Sequence, residues 1–206
     1  MKIPLIVLII GALAAARCAW QRPKADPTEF FVLDSVPAPQ APSKTLPLVQ
    51  LAEVEVPEYL TGPRMAVRLQ GNEIDYAEFR RWAEPLPQGI ARTIKENLAA
   101  TADVSQSPVP GRKPGYLLSV RVSAFEGQRL PAGAGSVLVA ASWELRPAGE
   151  PGKVGRGRFT AAAAAWDGKD YRRLARLESD ATAALCDDLK RALAGDHGLE
   201  STGSGR

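Results

Sequence analysis

Hydrophobic and polar positions alternate with a period of two along several stretches of the chain, and with a helical period along others. In Leu48–Val56, Ala52, Val54 and Val56 alternate with Glu53 and Glu55, which predicts a half-buried strand ended by Pro57. Met65, Val67 and Leu69 alternate with Ala66, Arg68 and Gln70 and run into Gly71-Asn72. Both of these residues tolerate positive φ, so a hairpin is expected, with Glu73–Tyr76 as its short return strand. The clearest alternation is in Tyr116–Ala124 and Val137–Leu145, joined by a loose loop, Gly127–Gly135. Gly149-Glu150-Pro151-Gly152 then reads as a turn into a third strand around Gly157–Ala164, and Phe30-Phe31-Val32-Leu33 as a short strand near the start.

Two segments carry a 3.6-residue period. After Pro85 and Pro87, Ile90, Ile94 and Leu98 share one stripe while Arg92, Lys95 and Glu96 lie elsewhere. A longer helix, capped by Asp167 or Asp170, runs to about Ala194. Its stripe is Leu174, Leu177, Ala181, Ala184, Leu185, Leu189 and Leu193. Together these elements predict an α+β fold, a mostly antiparallel sheet with two main helices packed on one face.

The pattern changes at both ends. Met1-Lys2 precedes an apolar and small-residue run from Ile3 to Ala16, then Arg17-Cys18. This reads as a secretory signal over 1–17, with Cys18 as the site of acylation, palmitate included. Arg17 stands where a lipoprotein signal usually has Gly or Ala, so two other outcomes stay open. One is cleavage after Ala14-Ala15-Ala16 that yields a soluble periplasmic protein, and the other is an uncleaved anchor. Residues 18–28 read as a tether, 29–194 as the domain, and 195–206 as a polar, glycine-rich tail too hydrophilic to fold alone. Val36–Pro47, with Pro37, Pro39, Pro42 and Pro47, reads as a stiff connection without ladder hydrogen bonds.

Composition narrows the function. The chain has 26 Lys and Arg against 23 Asp and Glu, and two of these cations, Lys2 and Arg17, belong to the signal. The near balance that remains argues against nucleic acid. Cys186 is the one cysteine beyond Cys18, which leaves no internal disulfide framework, and it reads as a small buried hydrophobe. The single His, His197, lies in the tail, so neither a zinc cluster nor a Ser-His-Asp arrangement is in prospect. Gly155-Arg156-Gly157 sits in a strand pattern and lacks the strand–turn–helix context of a phosphate loop. No catalytic, cofactor or metal site is expected.

The most distinctive segment is GNEIDYAEFRRWAEPL, Gly71–Leu86. It closely resembles the signature of the ABC-type transport auxiliary lipoproteins, the family of the paraquat-inducible operon's lipoprotein subunit. Phe30–Asp34 is similar to that family's opening strand, Val54–Leu60 to the run into the signature, and Gly89–Ala99 to the helix after it. The resemblance implies a periplasm-facing accessory lipoprotein, lipid-anchored and typically on the outer membrane. It would work with a mammalian-cell-entry (MCE) domain protein and its membrane permease in lipid transport and membrane integrity. Phospholipid contact and homo-oligomers are compatible with it.

Within the signature, Tyr76, Phe79, Arg80, Arg81 and Trp82 are the partner-binding candidates, because aromatic and arginine side chains dominate interface hot spots. The competing reading is internal, with Tyr76, Phe79 and Trp82 sealing the core edge and Glu73 or Glu78 pairing Arg80 and Arg81. Their spacing puts the three rings on nearly one side of a tight turn. Trp143 and Trp166 read as core, and Trp20 as a membrane-interface residue. Two rivals follow. An independent lipid-binding shuttle would place an acyl chain between the helices or on the sheet, where Ala161–Ala165 and Ala140-Ala141 are small. An envelope hydrolase is disfavoured by the lone tail histidine.

Overall fold

The strands with the cleanest alternation form the spine of the molecule. The computed structural model describes residues 25–35, 46–70, 72–130, 135–149 and 154–195. In it, β1 (Glu29–Phe31) and β2 (Leu48–Glu55) are followed by a 3-10 turn (Glu58–Leu60), β3 (Arg64–Arg68) and β4 (Ile74–Trp82). Helix α1 (Leu86–Leu98) leads to β5 (Asp103–Ser105), β6 (Tyr116–Arg129) and β7 (Gly135–Pro147). Then come β8 (Gly155–Thr160), β9 (Ala165–Trp166) and helix α2 (Tyr171–Leu193). The signal, Cys18, most of the proline-rich connection and His197 lie outside the described residues.

β6 is long enough to serve two neighbours along one edge. β2 runs parallel to its first half and β3 parallel to its end, while β7 pairs antiparallel along its whole other edge. β4 extends from β3 antiparallel, and β1 closes that wing parallel to β4. β5 lies parallel beside β2, and β8 and β9 both pair antiparallel with β7. The fold is α+β with both helices on one side of the sheet, as the periodicity implied. The sheet is mixed rather than mostly antiparallel, because β1, β2, β3 and β5 join it through parallel neighbours. Periodicity reports which face of a strand is dry, and parallel and antiparallel neighbours share that signal.

The two faces differ in kind. Met65, Val67, Leu118, Val120, Val122, Val139 and Trp143 are buried in one core with Ile90, Ile94 and Leu98 of α1 and Leu174, Leu185 and Leu189 of α2. Burying such a side chain stabilises the fold by about 1.5–3 kcal/mol. Pro87 at the start of α1 needs no backbone partner there, and Asp170 caps α2 by accepting from the Arg172 and Arg173 amides. The α2 stripe is wetter than expected. Ala184 is exposed, whereas Glu178, Ser179 and Thr182 are buried.

Local irregularities set the remaining geometry. A bulge between Val122 and Ala124 changes the phase of β6, so Phe125 meets Trp82 of the core edge while Glu126 reaches Tyr59 and Arg68. The expected return strand Glu73–Tyr76 continues instead to Trp82, because β1 on its far side pairs with Arg80, Arg81 and Trp82. The end of β1 is tied to both helices. Arg92 of α1 donates to the Leu33 carbonyl at 2.8 Å, and the Asp34 amide donates to Ser179 Oγ of α2 at 3.0 Å.

Candidate functional site

The signature segment is a strand, and this decides where its side chains go. Trp82 is 6% exposed and packs edge-on to Phe125, with ring centroids 6.2 Å apart. Arg80 lies on the same helix-facing side. Its Nε is 3.1 Å from Glu29, its guanidinium is 6.0 Å from the Tyr171 ring centroid, and Glu29 also pairs with Arg172 of α2 at 3.0 Å. The strand partner of Arg80 is Glu29 itself, so the acid comes from β1 rather than from Glu73 or Glu78. Tyr76 donates its hydroxyl to the Tyr59 carbonyl at 2.9 Å and offers its ring to Arg64 at 5.1 Å. Trp82 and Arg80 thus work inside the fold, and Tyr76 holds the 3-10 turn against the sheet.

Phe79 and Arg81 are placed differently. Phe79 is 38% exposed. Arg81 points away from the helices, in register with Phe30 of β1 on one side and Arg64 of β3 on the other. Phe30 and Val32 are 63% and 55% exposed. The five candidates therefore do not form one cluster. The extended backbone of β4, whose register against β3 shifts between Tyr76 and Arg81, spreads them over both faces, where a tight turn would have gathered the three rings.

Under the turn lies a buried carboxylate that sequence reasoning missed. Glu126 is inaccessible, and Arg68 holds its Oε1 through Nε at 2.6 Å and Nη2 at 2.5 Å. The Tyr59 hydroxyl donates to its Oε2 at 2.7 Å. Burial and the hydrogen bond to Glu126 push the Tyr59 hydroxyl up to about 12. Desolvation works against the Arg68 guanidinium, but the Glu126 contact prevails and its pKa is raised. The signal lay in the alternation: with Met65 and Val67 dry, Arg64 and Arg68 have to face the other side.

Further along that face, β2, β6, β7 and β8 floor an open groove of about 710 Å³ with Glu55, Arg121, Glu144 and Arg156 on its surface. Arg121 pairs with Glu55, and Glu144 with both Arg146 and Arg156. A second groove of about 710 Å³ runs between β1 and α2, with Phe30, Val32, Arg172 and Arg176 along it. Of the alanines that the shuttle reading named as leaving room for an acyl chain, Ala162, Ala163 and Ala165 are exposed. Among the described residues, no three His, Cys, Asp or Glu side chains are grouped to hold a metal ion, and no helix is long and apolar enough to cross a membrane. Gly155-Arg156-Gly157 lies in β8, as its pattern implied.

Comparison with known proteins agrees with this architecture. The chain is similar to a structurally determined protein of undescribed role at 20% identity, covering 81% of this chain and 98% of that one with a TM-score of 0.64. It is also similar to a Xanthomonas campestris protein at 17% identity, covering 78% and 90% with a TM-score of 0.62. At these identities the likeness establishes the fold. Among curated proteins, nothing matches. The model of the ABC-type transport auxiliary lipoprotein component matches residues 31–190, from the end of β1 to the last turn of α2. The chain belongs to the ABC-type transport auxiliary lipoprotein family.

Proposed function

We propose that this protein is the lipid-anchored accessory subunit of an MCE-type intermembrane lipid transport system. In this reading Cys18 carries the acyl anchor and holds the domain at the periplasmic face of the outer membrane. The folded domain docks the MCE tunnel protein, and partner subunits, including the membrane permease, supply the energy input. The observation that carries the docking is the exposure of Phe79 on β4 and of Phe30 and Val32 in and just after the neighbouring edge strand β1, at 38%, 63% and 55%. Large apolar side chains grouped on a surface mark protein or membrane contacts. The internal work of Trp82, Arg80 and Tyr76 leaves Phe79 and Arg81, of the five candidates, free to meet a partner.

The test is recovery of the MCE protein from solubilised envelopes with the tagged full chain as bait. Phe79→Asp is expected to abolish recovery while the melting temperature stays within about 2 °C, since surface changes alter stability little. Undiminished recovery would remove this surface from the interface. Cys18→Ser is expected to move the protein from the membrane fraction to the soluble periplasm, and persistence in the membrane fraction would rule out acylation as the anchor.

A further inference from the structure

The arginines of β3 and β4 fall into two groups. Arg68 and Arg80 each meet a carboxylate, Glu126 and Glu29 respectively. Arg64 and Arg81 meet none among the described residues, although they stand directly opposite each other in the β3–β4 register. Like charges in that relation destabilise a sheet. Arg81 adds a second cost, because its Nε is buried and has no hydrogen-bond acceptor. A buried donor without a partner is unfavourable and uncommon in folded proteins. Asp26 is near enough for Arg81 to contribute, after its Thr28 bonds and against the opposing effect of burial, to holding its carboxyl low. Its Oδ1 nevertheless accepts from the Thr28 amide at 2.9 Å and hydroxyl at 2.7 Å, and no ion pair with Arg81 forms.

Two arginines paired in the strand register, one of them with an unmet N–H donor, are the complement of an oxyanion. From this geometry we infer that Arg64 and Arg81 form a binding site for a phosphate group, carried on an amphiphile whose apolar part rests on Phe30. Phosphate is favoured over carboxylate because two uncompensated cations face the site. A phosphate brings more acceptor oxygens and up to two negative charges. Phe30 is in register with Arg81 and 63% exposed, so an apolar floor adjoins the cations. Arg64 is held over the Tyr76 ring at 5.1 Å, which orients its fork without neutralising it. This site stands on its own observations and does not depend on the transport reading.

The experiment follows the arginine Nε–H resonances of the full chain in an uncharged maltoside micelle. Inorganic phosphate and short-chain phosphatidic acid are titrated separately, and the maltoside itself serves as the phosphate-free amphiphile. Saturable shifts at Arg81 and Arg64 are expected with both probes, with phosphatidic acid half-saturating at lower concentration. Equal affinity for the two probes would support the site with free phosphate as its source and would overturn the apolar floor. Arg64→Gln is expected to weaken binding roughly tenfold, as loss of a charge-assisted hydrogen bond does. Arg81→Lys, which keeps the charge and loses the fork, is expected to weaken it too. Melting curves of each variant confirm folding, and Arg64 is an exposed position where Gln is tolerated. Unmoved arginine resonances, or phosphatidic acid bound as tightly by Arg64→Gln/Arg81→Gln, would overturn the inference.

Discussion

Glu178 is a carboxyl buried against its own solvation. It is 2% exposed on α2, and its Oε2 has no hydrogen-bond partner. Burial, reinforced by the charge of Glu126, pushes its carboxyl well above the ordinary range, so the folded protein holds it protonated. The stability it permits is full below the carboxyl pKa of the unfolded chain, about 4.3, and is lost as pH rises toward the folded value. Urea midpoints of the protein should therefore fall between pH 5 and pH 8 more than those of Glu178→Gln, which has no proton to lose. Identical pH profiles would exclude Glu178 as the source. Two glycines are constrained in another way. A Cβ on Gly127 would lie 2.5 Å from the Trp166 ring, and one on Gly157 would clash with Trp143. Because these rings are in the core, Gly157→Ala is expected to cost about 1–3 kcal/mol by denaturant unfolding, the range for overpacking.

At the scale of elements, the 3-10 turn Glu58–Leu60 is joined to β3 and β6 by charge rather than by apolar area alone. Glu126 is inaccessible, and Arg68 is its cation. Arg68→Met leaves a buried carboxylate without a counter-charge, and a loss of about 3–5 kcal/mol is expected in chemical denaturation. Arg68→Met/Glu126→Leu should recover most of that loss, since the pair owes much of its apparent strength to the cost of leaving one member alone. If the double variant is no more stable than the single one, the network has a role beyond neutralising its own charge. The cap of α2 gives a smaller test. Asp170 accepts two amides at 3.0 and 3.1 Å, so Asp170→Ala should cost about 1 kcal/mol in the same assay.

For the whole molecule, the signature divides into an inner and an outer half, and mutation distinguishes them. Trp82→Ala opens a cavity beneath Phe125 and is expected to cost about 3–5 kcal/mol, with loss of partner recovery as a consequence of unfolding. Phe79→Asp should leave the melting curve in place and remove the partner alone. If both substitutions lower stability alike, Phe79 also belongs to the core edge. Cys186 serves as an internal control. It is buried, and burial pushes its thiol up to about 12, so thiol reagents should leave it unmodified in the native protein and label it only on unfolding.

Much of the fold was legible in the sequence. Ile90, Ile94 and Leu98 repeat at helical spacing, and all three are buried. Trp143, Trp166 and Cys186 are core, as their surroundings implied. These inferences rest on one physical fact, that a dry face imposes its own period on the chain, and this needs no knowledge of which elements meet. The rest depended on which elements meet. The tripeptide β5 and the two-residue β9 are too short to carry a period, so only their neighbours reveal them. The bulge at Ser123 turned Glu126 toward Arg68, and the continuation of β4 alongside β1 sent Trp82 and Arg80 inward while turning Arg81 outward. The sequence alone determined an α+β domain with its helices on one sheet face and a family signature at its centre. The tertiary structure alone decided which signature residues are free, because a strand's two faces are equivalent until another element covers one of them.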